Sequence, residues 1–161
     1  MIKLFVMDVD GTMTDGGILV DGCGNEWKRF DVKDGMGIAR LKKSGVEVCI
    51  ISGRPSKATA GRAEELGITR VYQGVDDKLA LLKSIAEEMG LTPSEIAYIG
   101  DDVNDVPCLE WVGLGFAPSD ALLEAQRASD VVTPSRGGYG AVRDAAEFVL
   151  QKNQSEGTSK G

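Results

Sequence analysis

Histidine is absent from the 161-residue sequence. This excludes serine–histidine triads and histidine metal sites, so acid–base chemistry near neutral pH falls to carboxylates, lysine, tyrosine or cysteine. Cysteine is sparse: Cys23, Cys49 and Cys108 form an odd, scattered set without CxxC spacing. They read as reduced thiols of a cytoplasmic protein, and their spacing offers no zinc site. No run reaches the roughly 18–20 apolar residues of a membrane span. The opening Met-Ile-Lys-Leu-Phe-Val-Met-Asp meets a carboxylate too early for a secretory signal. Positive charge is short as well, with 18 Lys and Arg against 25 Asp and Glu and a net charge of −7. Such a chain has no broad grip on nucleic acid and no attraction to anionic lipid. An anionic ligand must be held by a few placed cations or by a metal.

What is present suits one α/β-sized domain, with 42% apolar and 27% charged residues. Short apolar runs over residues 2–9, 47–51, 70–72, 96–99, 112–116 and 131–132 read as buried parallel strands. Helical stretches over residues 37–43, 56–66, 78–89, 121–127 and 141–150 alternate with them, several stopped by glycine. The alternation predicts a doubly wound, Rossmann-like parallel α/β sheet. One segment departs from it. Residues 16–30 carry two apolar strands around the turn Asp21-Gly22-Cys23-Gly24-Asn25, which predicts a β-hairpin inserted after the first strand. A single domain is expected over residues 1–152, with residues 153–161 as a mobile tail.

Ligands of open parallel sheets sit at the carboxyl ends of the strands. Those ends collect Asp8 and Asp10, then Ser52, then Asp101, Asp102 and Asp105, with Lys78 opening the helix after the third strand. Taken singly, Asp-x-Asp is often a cap, Gly-Asp-Asp-x-Asn-Asp a helix start, and Ser-Gly a turn. Their conjunction, each at its own strand end or helix start, points to chemistry. Close carboxylates repel unless a cation lies between them, which predicts a hard, oxygen-loving ion such as Mg²⁺. A lysine and a serine beside that ion are donors for phosphate oxygens. Together these groups specify phosphoryl transfer.

At these residues the chain resembles the haloacid dehalogenase superfamily of phosphohydrolases. The matching motifs are Asp8-Val9-Asp10-Gly11-Thr12, Ser52, Lys78, and Gly100-Asp101-Asp102-Val103-Asn104-Asp105. The resemblance implies that Asp8 attacks phosphorus and that Asp10 serves as general acid, then general base. It implies Mg²⁺ on the Asp8 carboxylate, the Asp10 backbone carbonyl and Asp101, with Asp105 supporting that shell or Lys78. Ser52 and Lys78 would hold the phosphate oxygens. Asp8 and Ser52 lie 44 positions apart, Ser52 and Lys78 only 26. Neither interval houses a cap domain, so selectivity must come from a neighbouring subunit or from a large substrate.

Further segments narrow the resemblance to the 3-deoxy-D-manno-octulosonate 8-phosphate phosphatases, capless tetrameric members of that superfamily. They are residues 30–38, Tyr72-Gln73-Gly74, Ala97-Tyr98-Ile99-Gly100-Asp101-Asp102, and residues 137–143. The resemblance implies substrate contacts from Asp31, Val32, Lys33, Asp34 and Gly35, and from Arg54 and Arg62, besides Asp10 and Lys78. It also implies four hairpins packed together in a homotetramer, each roofing an adjacent site. The implied partner is a small sugar-acid phosphate, with no nucleic acid and no membrane. Two departures keep the related 2-keto-3-deoxynononate (or acylneuraminate) 9-phosphate phosphatases open: Ala39 replaces an arginine, and Gly24-Asn25-Glu26-Trp27-Lys28 matches that group more closely. Arg54 argues the other way, since that group places glutamate there. A phospho-receiver domain is the rival of another class, but it would need an aspartate after the third strand. A catalytically idle assembly subunit would not need the retained Asp8, Asp10, Ser52, Lys78 and Asp101.

Overall fold

In the computed structural model, which describes residues 1–158, strand β1 (Leu4–Met7) lies at the centre of the molecule with both faces buried. Its side chains alternate between two separate apolar clusters. Phe5 and Met7 join one, and Leu4 and Val6 the other. The same alternation splits Val48 and Ile50 from Cys49 and Ile51 on β4 (Glu47–Ile51). It also splits Ala97 and Ile99 from Ile96 and Tyr98 on β6 (Ile96–Ile99). Strands buried on both sides read as unbroken apolar runs, which is why they stand out in the sequence.

Around these strands the chain adds the hairpin strands β2 (Leu19–Val20) and β3 (Glu26–Trp27), β5 (Arg70–Tyr72), β7 (Leu114–Ala117) and β8 (Val131–Val132). The helices are α1 (Val32–Lys43), α2 (Lys57–Glu65), α3 (Lys78–Met89), α4 (Val106–Trp111), α5 (Leu123–Ala128) and α6 (Ala141–Thr158). The main sheet has six strands in the order β5-β4-β1-β6-β7-β8. Its neighbouring strands are parallel throughout. Helices α1 and α6 cover one face and α3, α4 and α5 the other. This is the expected doubly wound α/β sheet. Because β1 pairs with β4 on one side and β6 on the other, the chain reverses direction of winding at β1. Its carboxyl end therefore opens a crevice.

Three stretches differ from the sequence expectation. Helix α1 begins at Val32 rather than at residue 37, because the Asp31 carboxylate caps it by accepting from the Lys33 N–H at 2.7 Å. The short α4 was not foreseen. It follows a single 3₁₀ turn over Val103–Asp105, capped by Asp102, too brief to show a helical period. The expected mobile tail is corrected over residues 153–158, which continue α6. Asn153 explains this: its amide donates to the Ile2 carbonyl at 2.8 Å, and its oxygen accepts from the Ile2 N–H at 2.7 Å. Residues 159–161 lie outside the described part.

Asp34, on the buried side of α1, ties that helix to α6. One carboxylate oxygen accepts from the Arg143 N–H at 2.9 Å, while the other is buried without a hydrogen bond. Burial pushes its carboxyl up to about 6, the Arg143 amide opposes this, and the nearby Asp31 and Asp144 charges add to it. The folded chain thus favours the protonated acid, and this contribution is lost as pH rises from 3.8 through about 6. Asp34→Asn is therefore expected to melt higher, relative to the wild type, at pH 7.5 than at pH 4. Thermal unfolding at both pH values should show that difference growing by roughly 5 °C.

Candidate active site

Where β1 ends, Asp8 leaves the sheet and the chain turns tightly through Asp10, Gly11 and Thr12. The Val9 carbonyl accepts from the N–H groups of Thr12, Met13 and Thr14 at 3.1, 2.9 and 3.1 Å. Gly11 adopts φ +83°, and a Cβ there would lie 1.9 Å from Asp101 Oδ2. The turn is thus pressed against the acidic loop that follows β6. From the other side Gly137 comes so close that a Cβ on it would lie 1.9 Å from the Gly11 carbonyl oxygen. Ser52 stands at the end of β4, and Lys78 opens α3 behind the Asp77 cap.

These ends meet over a buried chain of charge. Lys78 Nζ donates to Asp8 Oδ1 at 2.7 Å and to Asp105 Oδ1 at 2.8 Å. Asp105 Oδ1 also accepts from the Tyr98 hydroxyl at 2.6 Å. Asp105 Oδ2 accepts from the Asp101 and Asp102 N–H groups at 3.0 and 3.2 Å. Burial works against the Lys78 ammonium, but the charges of Asp8 and Asp105 outweigh it and hold the amine above its ordinary value. Burial raises Asp8 to about 6, aided by the Asp105 charge and opposed by Lys78. Asp101 is raised further, to about 9, first by burial and then by the facing Asp8 charge. One ammonium does not neutralise three acids in this space.

Above the charges lies an open cleft of about 360 Å³. Asp8, Asp10, Ser52, Arg54 and Asp101 line it, as do Asp76, Asp102 and Asn104, while Lys78 lies beneath Asp8. The other residues expected to touch substrate gather elsewhere. Asp31, Asp34, Gly35 and Arg62 pack together at the start of α1, and Val32 and Lys33 are exposed there. None of the six lines the cleft. Arg62 stacks over Phe30 at 5.8 Å and donates to the Asp31 carbonyl at 3.4 Å.

Three contributors are not legible as site residues from the sequence motifs. Tyr98 orients Asp105, and a tyrosine inside a fully buried strand was the available signal, since its hydroxyl must find a partner. The hairpin supplies Lys28, whose Nζ meets Asp10 Oδ1 at 2.7 Å, and Glu26, which binds Arg54. Here no signal existed, because the distance between hairpin and cleft is a tertiary fact.

The haloacid dehalogenase-like hydrolase family model matches residues 31–113. The chain belongs to this family. Among curated relatives, 3-deoxy-D-manno-octulosonate 8-phosphate phosphatase KdsC of Escherichia coli (strain K12) is 40% identical over 160 residues, covering 99% of this chain and 85% of the relative. The corresponding phosphatase of Yersinia pestis superposes with a TM-score of 0.91 at 42% identity, over 93% of this chain and 81% of that one. That of Moraxella catarrhalis, solved with a magnesium ion, a phosphate ion and a KDO molecule, gives 0.91 at 43% identity, over 93% and 86%.

The acidic cluster fits the magnesium such a haloacid dehalogenase-like hydrolase uses. Ligand oxygens of Asp8, Asp101 and Asp105 all lie within 4.8 Å of one another. Both Asp105 oxygens are already engaged by protein donors, which leaves Asp8 and Asp101 as the pair that could hold the ion. Burial pushes both carboxyls up, and the facing Asp8 charge adds to this at Asp101; a divalent ion between them would offset that cost. All available donors are hard oxygens, which suits Mg²⁺ rather than a soft metal. Gly11→Ala would drive a methyl into Asp101 and is expected to lower kcat by roughly 10²-fold or more, given the cost of misplacing a reacting group by about 1 Å. Gly22→Ala, at a hairpin position with nothing within 4 Å of a new Cβ, should stay near wild type. Steady-state rates of the two variants test the contrast.

Proposed function

We propose that this chain hydrolyses 3-deoxy-D-manno-octulosonate 8-phosphate to the free sugar acid and phosphate. The observation that carries the reading is the Asp8–Lys78–Asp105 chain facing Asp101 at the switch point of the sheet. That geometry aims one carboxylate into the cleft and leaves an acidic pair for a divalent cation. The substrate assignment is supported by near-full-length relatedness to phosphatases of that substrate. The nononate and neuraminate phosphates are the less favoured reading. A receiver domain is disfavoured because the strand ends carrying acids are β1 and β6, whereas β5 ends in Tyr72 and Gln73.

The residues take the following parts. Lys78 clamps Asp8 Oδ1, fixing the carboxylate's rotation so that it meets phosphorus in one orientation. Asp8 attacks, the P–O bond to the sugar breaks, and an aspartyl-phosphate remains on Asp8. Asp10, at the cleft wall, gives the leaving alkoxide its proton and then takes one from the water that releases phosphate. The Ser52 hydroxyl and the Lys78 ammonium receive the equatorial oxygens. Asp8, Asp101 and the Asp10 backbone carbonyl would hold Mg²⁺, which when bound would supply positive charge against the phosphoryl group. At the rim, Arg54 receives the substrate carboxylate. Arg62, Asp31, Val32, Lys33, Asp34 and Gly35 complete recognition in an assembled oligomer.

That oligomer is a homotetramer built on the hairpin. Ile18, Leu19, Val20 and Trp27 are 43, 55, 68 and 58% exposed, apolar side chains of a hairpin that a neighbouring subunit would cover. Among the described residues no helix is long and apolar enough to cross a membrane.

Asp8→Asn is expected to reduce turnover by roughly 10³-fold or more in a protein that still folds, because it deletes the nucleophile. A variant retaining a tenth of wild-type kcat would refute the covalent route. Asp10→Asn should hurt the sugar phosphate far more than p-nitrophenyl phosphate, whose leaving group needs little protonation, and equal losses would remove the general acid from Asp10. Replacing Ile18 and Trp27 with serine should yield smaller species by light scattering and a larger loss on the sugar phosphate than on the aryl ester. A wild-type monomer with full sugar-phosphate activity would contradict the assembly.

A further inference from the structure

Two residues of the hairpin reach the mouth of the cleft, and strand alternation explains which. Glu26 and Lys28 share one face, while Trp27 points away and is 58% exposed. The Lys28 side chain is wholly buried; its Nζ bonds Asp10 Oδ1 at 2.7 Å and lies 3.6 Å from Glu26 Oε1. Glu26 turns its other oxygen outward, where Oε2 accepts from Arg54 Nη2 at 2.5 Å. Asp10, Lys28, Glu26 and Arg54 thus form a row of alternating charge from the reacting end of the cleft to its rim. Glu26 Oε1 is buried and makes no hydrogen bond. Glu26 is therefore hydrogen-bonded on one side alone, through the arginine.

We propose that Glu26 is a specificity-determining residue that occupies Arg54 in place of the substrate carboxylate and yields it when a carboxylated phosphate binds. The inference rests on the reading of Arg54 as the carboxylate site. The Arg54–Glu26 pair is open to solvent, with the Arg54 side chain 43% exposed, and exposed pairs of this kind are weak enough to exchange. A carboxylate tethered to a phosphate already held below arrives at high effective concentration and wins the guanidinium. Displaced, Glu26 has a second cation within reach, since its unbonded Oε1 already faces Lys28. Its charge stays compensated throughout. A phosphate ester without a carboxylate leaves the pair closed and draws nothing from Arg54.

Removing the internal competitor should therefore favour carboxylated substrates selectively. With Mg²⁺ present, KM is measured for 3-deoxy-D-manno-octulosonate 8-phosphate and for p-nitrophenyl phosphate. The proteins compared are the wild type, Glu26→Gln, Glu26→Ala, Arg54→Met and the Glu26→Gln/Arg54→Met double variant. The ratio of the sugar-phosphate KM to the aryl-phosphate KM is expected to fall roughly two- to fivefold in both Glu26 variants. It should rise in Arg54→Met, and the double variant should show no gain over Arg54→Met. If Arg54→Met raises the ratio but neither Glu26 variant lowers it, the competitor role is overturned while the carboxylate site stands. If the Glu26→Gln gain persists without Arg54, the effect is general electrostatics and the proposal fails. If Arg54→Met leaves the ratio unchanged, Arg54 is not the carboxylate site and both readings fall.

Discussion

An ammonium buried among carboxylates governs this molecule. Lys78 is 2% exposed and its Nζ contacts two acids at once, with a third facing the first. Leaving either partner uncompensated in the interior would be costly, so α3 must start where it does and β6 must end where it does. The Tyr98 hydroxyl and the two amides on Asp105 exist in this light to fix the acid that fixes the lysine. The excess negative charge beside it is what a bound cation would offset.

Much of this was legible before any coordinates. Strands β4, β5, β6 and β8 begin and end where their apolar runs do, and Asp8, Ser52, Lys78 and Asp101 stand at the strand ends and helix start inferred for them. The reason is local: a strand buried on both faces is written as an uninterrupted apolar run, and a helix start carries its cap. Where the outcome depended on distant partners, the sequence was mute. Nothing near Asn153 announces that it will clasp Ile2 and extend α6, and nothing near Glu26 announces Arg54. The short α4 was invisible for another reason, since six residues span fewer than two turns.

The site divides between two kinds of support. Chemistry rests on strand ends locked into a six-stranded sheet, with loops pressed together at Gly11, Asp101 and Gly137. The mouth of the cleft rests partly on a hairpin whose strands are two residues each. A ribbon that short has little stability of its own, and its position is set by the ion pairs of Lys28 and Glu26 and by whatever covers its apolar face. The hairpin therefore meets the cleft at two points, through Lys28 on Asp10 and through Glu26 on Arg54.

The close approach of Gly137 to the Gly11 carbonyl also orders events in time. The loop after β1 precedes its own walls in the chain, since one of them is residue 101 and another residue 137. Strand β1 likewise lacks one of its two neighbours until β6 is made. Contacts of such long sequence separation form late, because loop closure must precede them. A nascent chain thus carries Asp8 without the pocket around it until residues 101 and 137 have both been made.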